Sequence, residues 1–384
     1  MTLPDTQASE RLKRLLSYLQ ADPENSALIF DAIDQCIRED QITTAASLIE
    51  QARQAGMATA GLTHREAMLA MKRGAWAEAI AILEALLGQT PDDPTLRFNL
   101  AYAHYQSAEY RRACELLAEI ADLASANPGI ATLYTMCMYQ LGDVNAAVTF
   151  AESALAAQPQ HLELPGVLAL LYFDTNRLAQ CRQYVDIALG RTPDHAMALI
   201  AASGLAVLDA QPDRAEELAR HVLDRHDHDG RAWSALGVAL MAKQDISGAG
   251  RALQQAVKFM PSHIGTWHLL AWTQLFQHNT RAAEASFKRA LELDRTFGES
   301  HGGLAVVAQL RGDGARATEL MEKARRLSPG GLSIQYVKML QIEQCDGKEA
   351  ARKFLLDVLG KTAAAEGTPL LSLIQRQLLQ NRPN

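Results

Sequence analysis

The sequence lacks what would fasten a chain into a membrane, onto nucleic acid or into a disulfide framework. Eighteen apolar residues never run together, so no helix is expected to span a bilayer. Met1 to Glu10 is polar and lacks the basic, apolar, small-residue order of a secretory leader, which makes a cytoplasmic location the simplest expectation. Positive charge is in deficit: the formal net charge is −7 and the pI near 5.9, whereas phosphate binding needs clustered cations. Nucleic acid is therefore not an expected partner. The five cysteines, Cys36, Cys114, Cys137, Cys181 and Cys345, form no C-x-x-C pair and read as reduced, mostly buried thiols. Neither a Gly-x-x-x-x-Gly-Lys-Ser/Thr loop, a strand-linked Gly-x-Gly-x-x-Gly nor a Gly-x-Ser-x-Gly elbow occurs, so nucleotide chemistry and serine catalysis have no foothold. No cofactor, metal or enzymatic activity is expected.

What is present is a repeat. With 48% hydrophobic and 21% charged residues the chain can bury a core. A frame of 34 residues slides along it without insertion, placing unit starts at Ser26, Ala60, Pro94, Pro128, Leu162, Ala196, Gly230, Ile264, Gly298 and Leu332. The twentieth residue of each is Ala45, Ala79, Ala113, Ala147, Cys181, Ala215, Ala249, Ala283, Ala317 or Ala351. A small side chain is needed there if two helices of one unit cross at that point. Pro91, Pro159, Pro193, Pro261 and Pro329 end units, where a missing N–H and a fixed φ stop a helix. Gly74, Gly142 and Gly312 share one phase with Asp40, Asn176 and Asp346, which places a reversal of the chain inside each unit. Met57, Ser125, Asp227 and Arg295 replace the proline, and regular stacking is expected through them.

The unit beginning at Gly230 carries Trp233, Leu236, Gly237, Leu240, Ala249, Leu253, Ala256 and Pro261, and this pattern resembles the tetratricopeptide repeat. The resemblance implies an all-α fold, a right-handed superhelical α-solenoid of helical hairpins. Residues 26–365 would form ten units. Residues 1–25 would supply an N-terminal cap, from the stripe of Leu12, Leu15, Leu16 and Leu19, and residues 366–384 a C-terminal cap, from Leu370, Leu371, Ile374 and Leu378. No segment is left over for a catalytic domain.

The resemblance also implies a concave groove lined by the first helix of each unit, with the ninth and twelfth residues projecting into it. Sixteen of those twenty residues are apolar or aromatic, and the charged exceptions, Asp34 and Glu343, stand in the first and last units. The expected protein-binding groove comprises Met68, Met71, Phe98, Tyr102, Tyr105, Met136, Tyr139, Leu170, Phe173, Met241, Trp272 and Leu275, with its centre in the third to fifth units. Aromatic and methionine side chains suit an adaptable protein-binding surface, although part of the row would serve packing alone. Two subtypes of the family do not fit. A carboxylate clamp needs polar groups where Met68 and Leu133 stand, and an asparagine ladder would continue Asn99 with more asparagine rather than Leu133, Val167, Ala201 and Ala235.

Other constellations have plainer readings. Arg225, His226, Asp227, His228 and Asp229 look like a metal tract, but His161, His195 and His263 share with Asp93, Asn127 and Asp229 the last position of a unit, where a polar side chain can satisfy helix N–H groups. His301, Gly302 and Gly303 lie inside a first helix and point to a close helix contact or a widened groove. Arg281, Glu284, Lys288, Arg289 and Glu292 are spaced to pair along an exposed face, and Lys323, Arg325 and Arg326 read as wet surface. The expectation is a non-enzymatic scaffold, adaptor or assembly factor holding an apolar or amphipathic protein segment. A secretion or assembly chaperone and a regulatory, non-catalytic subunit are the alternatives, and self-association is open.

Overall fold

The computed structural model describes residues 9–57 and 59–362, so the cap expected from Leu370, Leu371, Ile374 and Leu378 lies outside the described residues. Among the described residues there are twenty-one α-helices, one short 3₁₀ segment and no strand. The chain divides into two compact units, residues 1–171 and 172–384.

In the first unit α1 (Glu10–Ala21) precedes four hairpins, whose first helices are α2 (Ser26–Arg38), α4 (Ala60–Lys72), α6 (Pro94–Gln106) and α8 (Pro128–Gln140). Their second helices are α3 (Ile42–Gln54), α5 (Trp76–Gln89), α7 (Tyr110–Ala118) and α9 (Val144–Ala157). Leu12 and Leu19 of α1 are buried with Ile29 and Ile33 of α2. The Ser9 hydroxyl accepts the Leu12 N–H while the Ser9 N–H donates to Glu39 at 2.9 Å, tying the cap to the end of α2.

The boundary between units falls inside α10 (Leu164–Asp174). The second unit continues with α11 (Leu178–Arg191), α12 (Ala196–Leu208), α13 (Pro212–Leu223), α14 (Gly230–Ala242), α15 (Ile246–Phe259) and α16 (Ile264–Phe276). It closes with α17 (Thr280–Leu293), α18 (Gly298–Leu310), α19 (Gly314–Leu327), α20 (Leu332–Asp346) and α21 (Lys348–Thr362). First helices therefore begin 34 residues apart throughout, except that α10 starts at Leu164 rather than Leu162. There His161 Nδ1 accepts from the N–H groups of Glu163 and Leu164, which holds a turn ahead of the helix and leaves Leu162 exposed.

Two local devices recur and explain the hairpin. The alanines of the twentieth position, and Cys181 among them, are buried at the crossing of the two helices. In the sixth hairpin the crossing is also bonded, the Ser203 hydroxyl donating to Ala215 O at 2.8 Å. The second device is the reversal. Asp40, Gly74, Ala108, Gly142, Asn176, Ala210, Gln244, His278 and Gly312 all take positive φ, and they stand 34 residues apart. The following N–H closes a bond five residues back, as Ala75 to Ala70 O and Asp245 to Leu240 O, both 2.9 Å. The backbone bond dictates the left-handed residue, so glycine is a convenience there and not a requirement.

Two expectations are corrected. In the tenth hairpin α20 runs through Asp346, and Gly347, with φ 85, makes the reversal in its place, because glycine adopts that conformation at no steric cost. In the third hairpin stacking is not regular: α7 stops at Ala118 and a 3₁₀ segment follows over Ala121–Ser125. The N–H groups of Ile120, Leu123 and Ala126 bond three residues back, and the tighter winding keeps Ile120 and Ala124 buried.

Candidate functional site

In the first unit the expected groove residues separate by depth. Met68 and Met71 on α4, Phe98, Tyr102 and Tyr105 on α6, and Tyr139 on α8 are half-buried, whereas Met136 and Leu170 are core. Tyr102 stands edge-on to Trp76 of α5, ring centres 6.2 Å apart, and Tyr105 edge-on to Tyr110 of α7 at 5.3 Å. Each tyrosine of α6 is thus braced by the aromatic that opens a neighbouring second helix, which fixes its ring while leaving one side partly open.

Polar groups beside this cluster are occupied. The Asn99 amide nitrogen lies 3.1 Å from His64 Nε2 and 3.6 Å from Met68 Sδ, and burial holds the His64 imidazole below its ordinary pKa. Arg65 lies over the Phe30 ring at 4.3 Å and pairs with Asp34 at 2.6 Å, so the charge expected at the groove's first end is neutralised. Lys72 pairs with Asp40 at 2.7 Å, and Arg97 with Glu119.

In the second unit the same phases are filled from within. The Phe173 ring occupies the space where a side chain on Gly204 of α12 would stand. Met241, Leu275 and Trp272 are buried, Trp272 at 1% exposure. Trp272 meets Phe287 edge-on at 6.2 Å and Tyr336 of α20 at 5.2 Å. Tyr336 reaches it past α18 because Gly302 and Gly303 present no side chain: one gives room to Ser333 and the other to the Phe287 ring. The His301–Gly302–Gly303 tract is thus a close helix contact. Burial pushes the Tyr336 phenol up to about 12 and the His268 imidazole down to about 4. His268 Nε2 lies 2.9 Å from Ser300 Oγ, its ring against Phe287 and Phe297.

The polar residues at unit ends cap helices. Asn25, Thr59, Asp93, Asn127 and Asp229 accept N–H groups of the following turn, as do His161 and His263 through Nδ1. No side-chain cap forms at His195. His228 pairs with Asp227 and lies against Phe259. No group of three or more His, Cys, Asp or Glu side chains converges among the described residues. Cys36, Cys137 and Cys181 are buried, Cys114 half-buried and Cys345 exposed; burial raises the Cys137 and Cys181 thiols to about 12.

Charged second helices are less uniform than their spacing suggested. Lys323 and Arg325 pair within α19 with Glu319 and Glu322, and Arg289 with Glu292, as a solvated face does. Glu284, however, is largely covered and binds Arg311 of the next hairpin as well as Lys288. One apolar row escaped the ninth- and twelfth-residue rule. At the thirteenth position the first unit exposes Arg38, Lys72, Gln106 and Gln140, whereas the second carries Leu208, Ala242 and Phe276, half-buried, and Leu310, 45% exposed, between a polar Asp174 and a polar Gln344. The switch from polar to apolar at one phase is visible in the sequence.

Models described as tetratricopeptide repeat match residues 138–203, and residues 209–263 and 268–331. A model described as anaphase-promoting complex, cyclosome, subunit 3 matches residues 72–152. BBSome complex member bbs-4 of Caenorhabditis elegans is 22% identical over 213 residues, 56% of this chain and 46% of that protein, so the chain spans less than half the length of that relative. Among solved structures, the human IFIT1 dimer with PPP-AAAA superposes with a TM-score of 0.57 at 16% identity, over 98% of this chain and 96% of that one. An IFIT1 monomeric mutant with Gppp-AAAA gives 0.58 at 15% identity, over 97% and 95%. At such identity the likeness is one of fold alone. No helix among the described residues is long and apolar enough to cross a membrane.

Proposed function

The chain belongs to the tetratricopeptide repeat family, and from that premise we propose that it is a non-catalytic protein-interaction scaffold, cytoplasmic, whose first unit holds an apolar, uncharged segment of another protein. The observation that carries this reading is the half-buried cluster of Phe98, Tyr102, Tyr105 and Tyr139 on α6 and α8. The Tyr102 and Tyr105 rings are braced by Trp76 and Tyr110, so little conformational entropy is lost on binding, and rigid aromatic anchors dominate interface energetics. The cations beside it, Arg65, Lys72 and Arg97, are each paired with a carboxylate, which speaks against a phosphate-rich ligand such as those bound in the IFIT1 structures. The relative named as a complex member supports a lasting place in an assembly over transient shielding of a client.

The test is capture of partners from the protein's own cells, followed by titration of the purified partner. Tyr105→Ala and Tyr139→Ala each weaken binding about tenfold or more, since truncating a central aromatic costs about 2 kcal/mol. Helicity and melting stay near those of the parent, and Glu319→Gln, on an exposed face, leaves affinity unchanged. Affinity varies little with salt because the contact is apolar. Parental affinity in both tyrosine variants would remove the site from α6 and α8.

A further inference from the structure

Charge is divided unequally along the chain. Residues 1–171 hold 21 acidic and 11 basic side chains, a net of −10, whereas residues 172–384 hold 23 acidic and 26 basic, a net of +3. Each compact unit also exposes an apolar patch at the turns between its hairpins, built from residues outside the tyrosine cluster. The two patches are bordered by opposite charge.

In the second unit the patch is a ledge at the ends of successive second helices. Phe259 of α15, Leu293 of α17 and Leu327 of α19 stand at one phase, where the hairpin before them carries Arg225. Phe259 and Leu293 are half-buried and Leu327 is 46% exposed. Phe297 extends the ledge. It takes the cap position ahead of α18, where Asp229 and His263 accept helix N–H groups in their own hairpins, yet a phenyl ring caps nothing and this one is 39% exposed. A side chain on Gly298 would begin 3.0 Å from Leu327 Cβ, so Phe297 and Leu327 lie at the same turn.

The ledge is bordered by cations. Lys258 lies over the Phe259 ring at 5.2 Å, and neither it nor Arg295 has a carboxylate partner among the described residues. Arg325 and Arg326 share one carboxylate, Glu322. The acids beside Leu293 are engaged, Glu292 by Arg289 and Asp294 by the hydroxyl and N–H of Thr296.

In the first unit the patch is an edge made by Leu123 and Leu162, 37% and 56% exposed. Both belong to one contact between turns. Leu123 lies in the 3₁₀ segment that ends at Ser125, whose carbonyl accepts from Gln158, and Leu162 follows His161, whose Nε2 donates to Pro128 O at 3.1 Å. The short α7 and the late start of α10 are thus what leave these leucines uncovered. Asp122, beside Leu123, has no ion-pair partner among the described residues, and Glu163 follows Leu162. No lysine or arginine occurs from residue 113 to residue 176.

We propose that the ledge of one copy takes the Leu123–Leu162 edge of a second copy, head to tail. Burial of the apolar side chains drives the contact, and Lys258 and Arg295 face Asp122 and Glu163 across it. Ledge against ledge would oppose cations and edge against edge would oppose acids, so charge selects the mixed pairing. Because the two surfaces differ, each contact leaves an edge and a ledge free for further copies.

The test is sedimentation of the purified full chain over a range of concentration, with no other protein present, so it is independent of the tyrosine cluster, and Tyr105→Ala associates like the parent. The parent gains mass with concentration, and added salt opposes the gain. Leu327→Glu on the ledge and Leu162→Lys on the edge each raise the dissociation constant about tenfold or more, with helicity and melting kept because both side chains are about half exposed. Asp122→Asn weakens association less and reduces its salt dependence. Mixing decides the geometry: the Leu327→Glu chain keeps its edge and the Leu162→Lys chain its ledge, so together they form a pair and nothing larger. A parent that stays monomeric at every concentration overturns the proposal. So does a Leu162→Lys chain that still self-associates, which would mean that ledge meets ledge, and so does a mixture of the two variants that stays monomeric while the parent associates.

Discussion

Arg182 of α11 donates to both carboxylate oxygens of Asp209 at the end of α12, at 2.8 and 2.6 Å, joining the second helix of one hairpin to the first helix of the next. The same spacing of 27 residues joins Glu216 to Lys243 at 2.9 Å, and Glu284 to Arg311. These bonds hold the carboxyls of Asp209, Glu216 and Glu284 below the usual carboxylate range.

Both ends of the Arg182–Asp209 pair are more than a third exposed, and water weakens it. Asp209→Asn therefore costs at most about 1 kcal/mol, a loss that shrinks in high salt. Urea midpoints at low and high ionic strength measure it; a loss several times larger would show the pair to be sequestered from solvent.

Ala210 holds φ 56 with only a methyl group. Left-handed backbone costs such a residue about 1–2 kcal/mol, so Ala210→Gly raises stability by about 1 kcal/mol and Gly142→Ala lowers it similarly. Thermal melts of the two variants should move in opposite directions.

Ala249 is fully buried where α14 and α15 cross. Ala249→Leu forces the helices apart and costs about 1–3 kcal/mol. An unaltered melting midpoint would place the crossing elsewhere.

Acid should destabilise the second unit before its carboxylates titrate. The ordinary His268 value of 6.5 falls to about 4 in the folded chain because burial disfavours the imidazolium. Between those values the unfolded chain binds a proton that the folded chain does not. Stability is thus fully present above about pH 6.5 and declines toward pH 4, by up to about 3 kcal/mol. His263, in the same unit, is lowered by burial too and adds to the decline. Chemical denaturation across this range measures the slope, and His268→Gln should flatten it.

The helical-hairpin repeat is legible in the sequence because its signals are local and repeated: a small residue at each crossing, a polar cap at many of the first-helix starts, a breaker between several of the units. Depth within the groove is not. Tyr102 and Trp272 occupy the same phase of their units, yet one is half open and the other sealed. The difference lies in the next hairpin, in Gly302 and Gly303, whose missing side chains let Tyr336, two hairpins on, close over Trp272. Nothing in the phase of a residue reports the size of its neighbours in later hairpins. Asp346 fails for the opposite reason, a local one, since Gly347 beside it was the better residue for the turn. The thirteenth-position row was within reach and required only that each phase be read across both halves of the chain.

The ties between hairpins also give the array an order. Arg182 faces an acid and Lys243 faces an acid, so the hairpin between them, which supplies Asp209 and Glu216, separates two cations. Were that hairpin lost by recombination within the gene, the shortened chain would keep its helical phase, yet Arg182 would confront Lys243, like against like. Removing the next hairpin instead would set Glu216 against Gln277, which is tolerable. The cost of losing a hairpin therefore differs from junction to junction, here by the sign of one exposed pair of side chains, a small difference because water screens it.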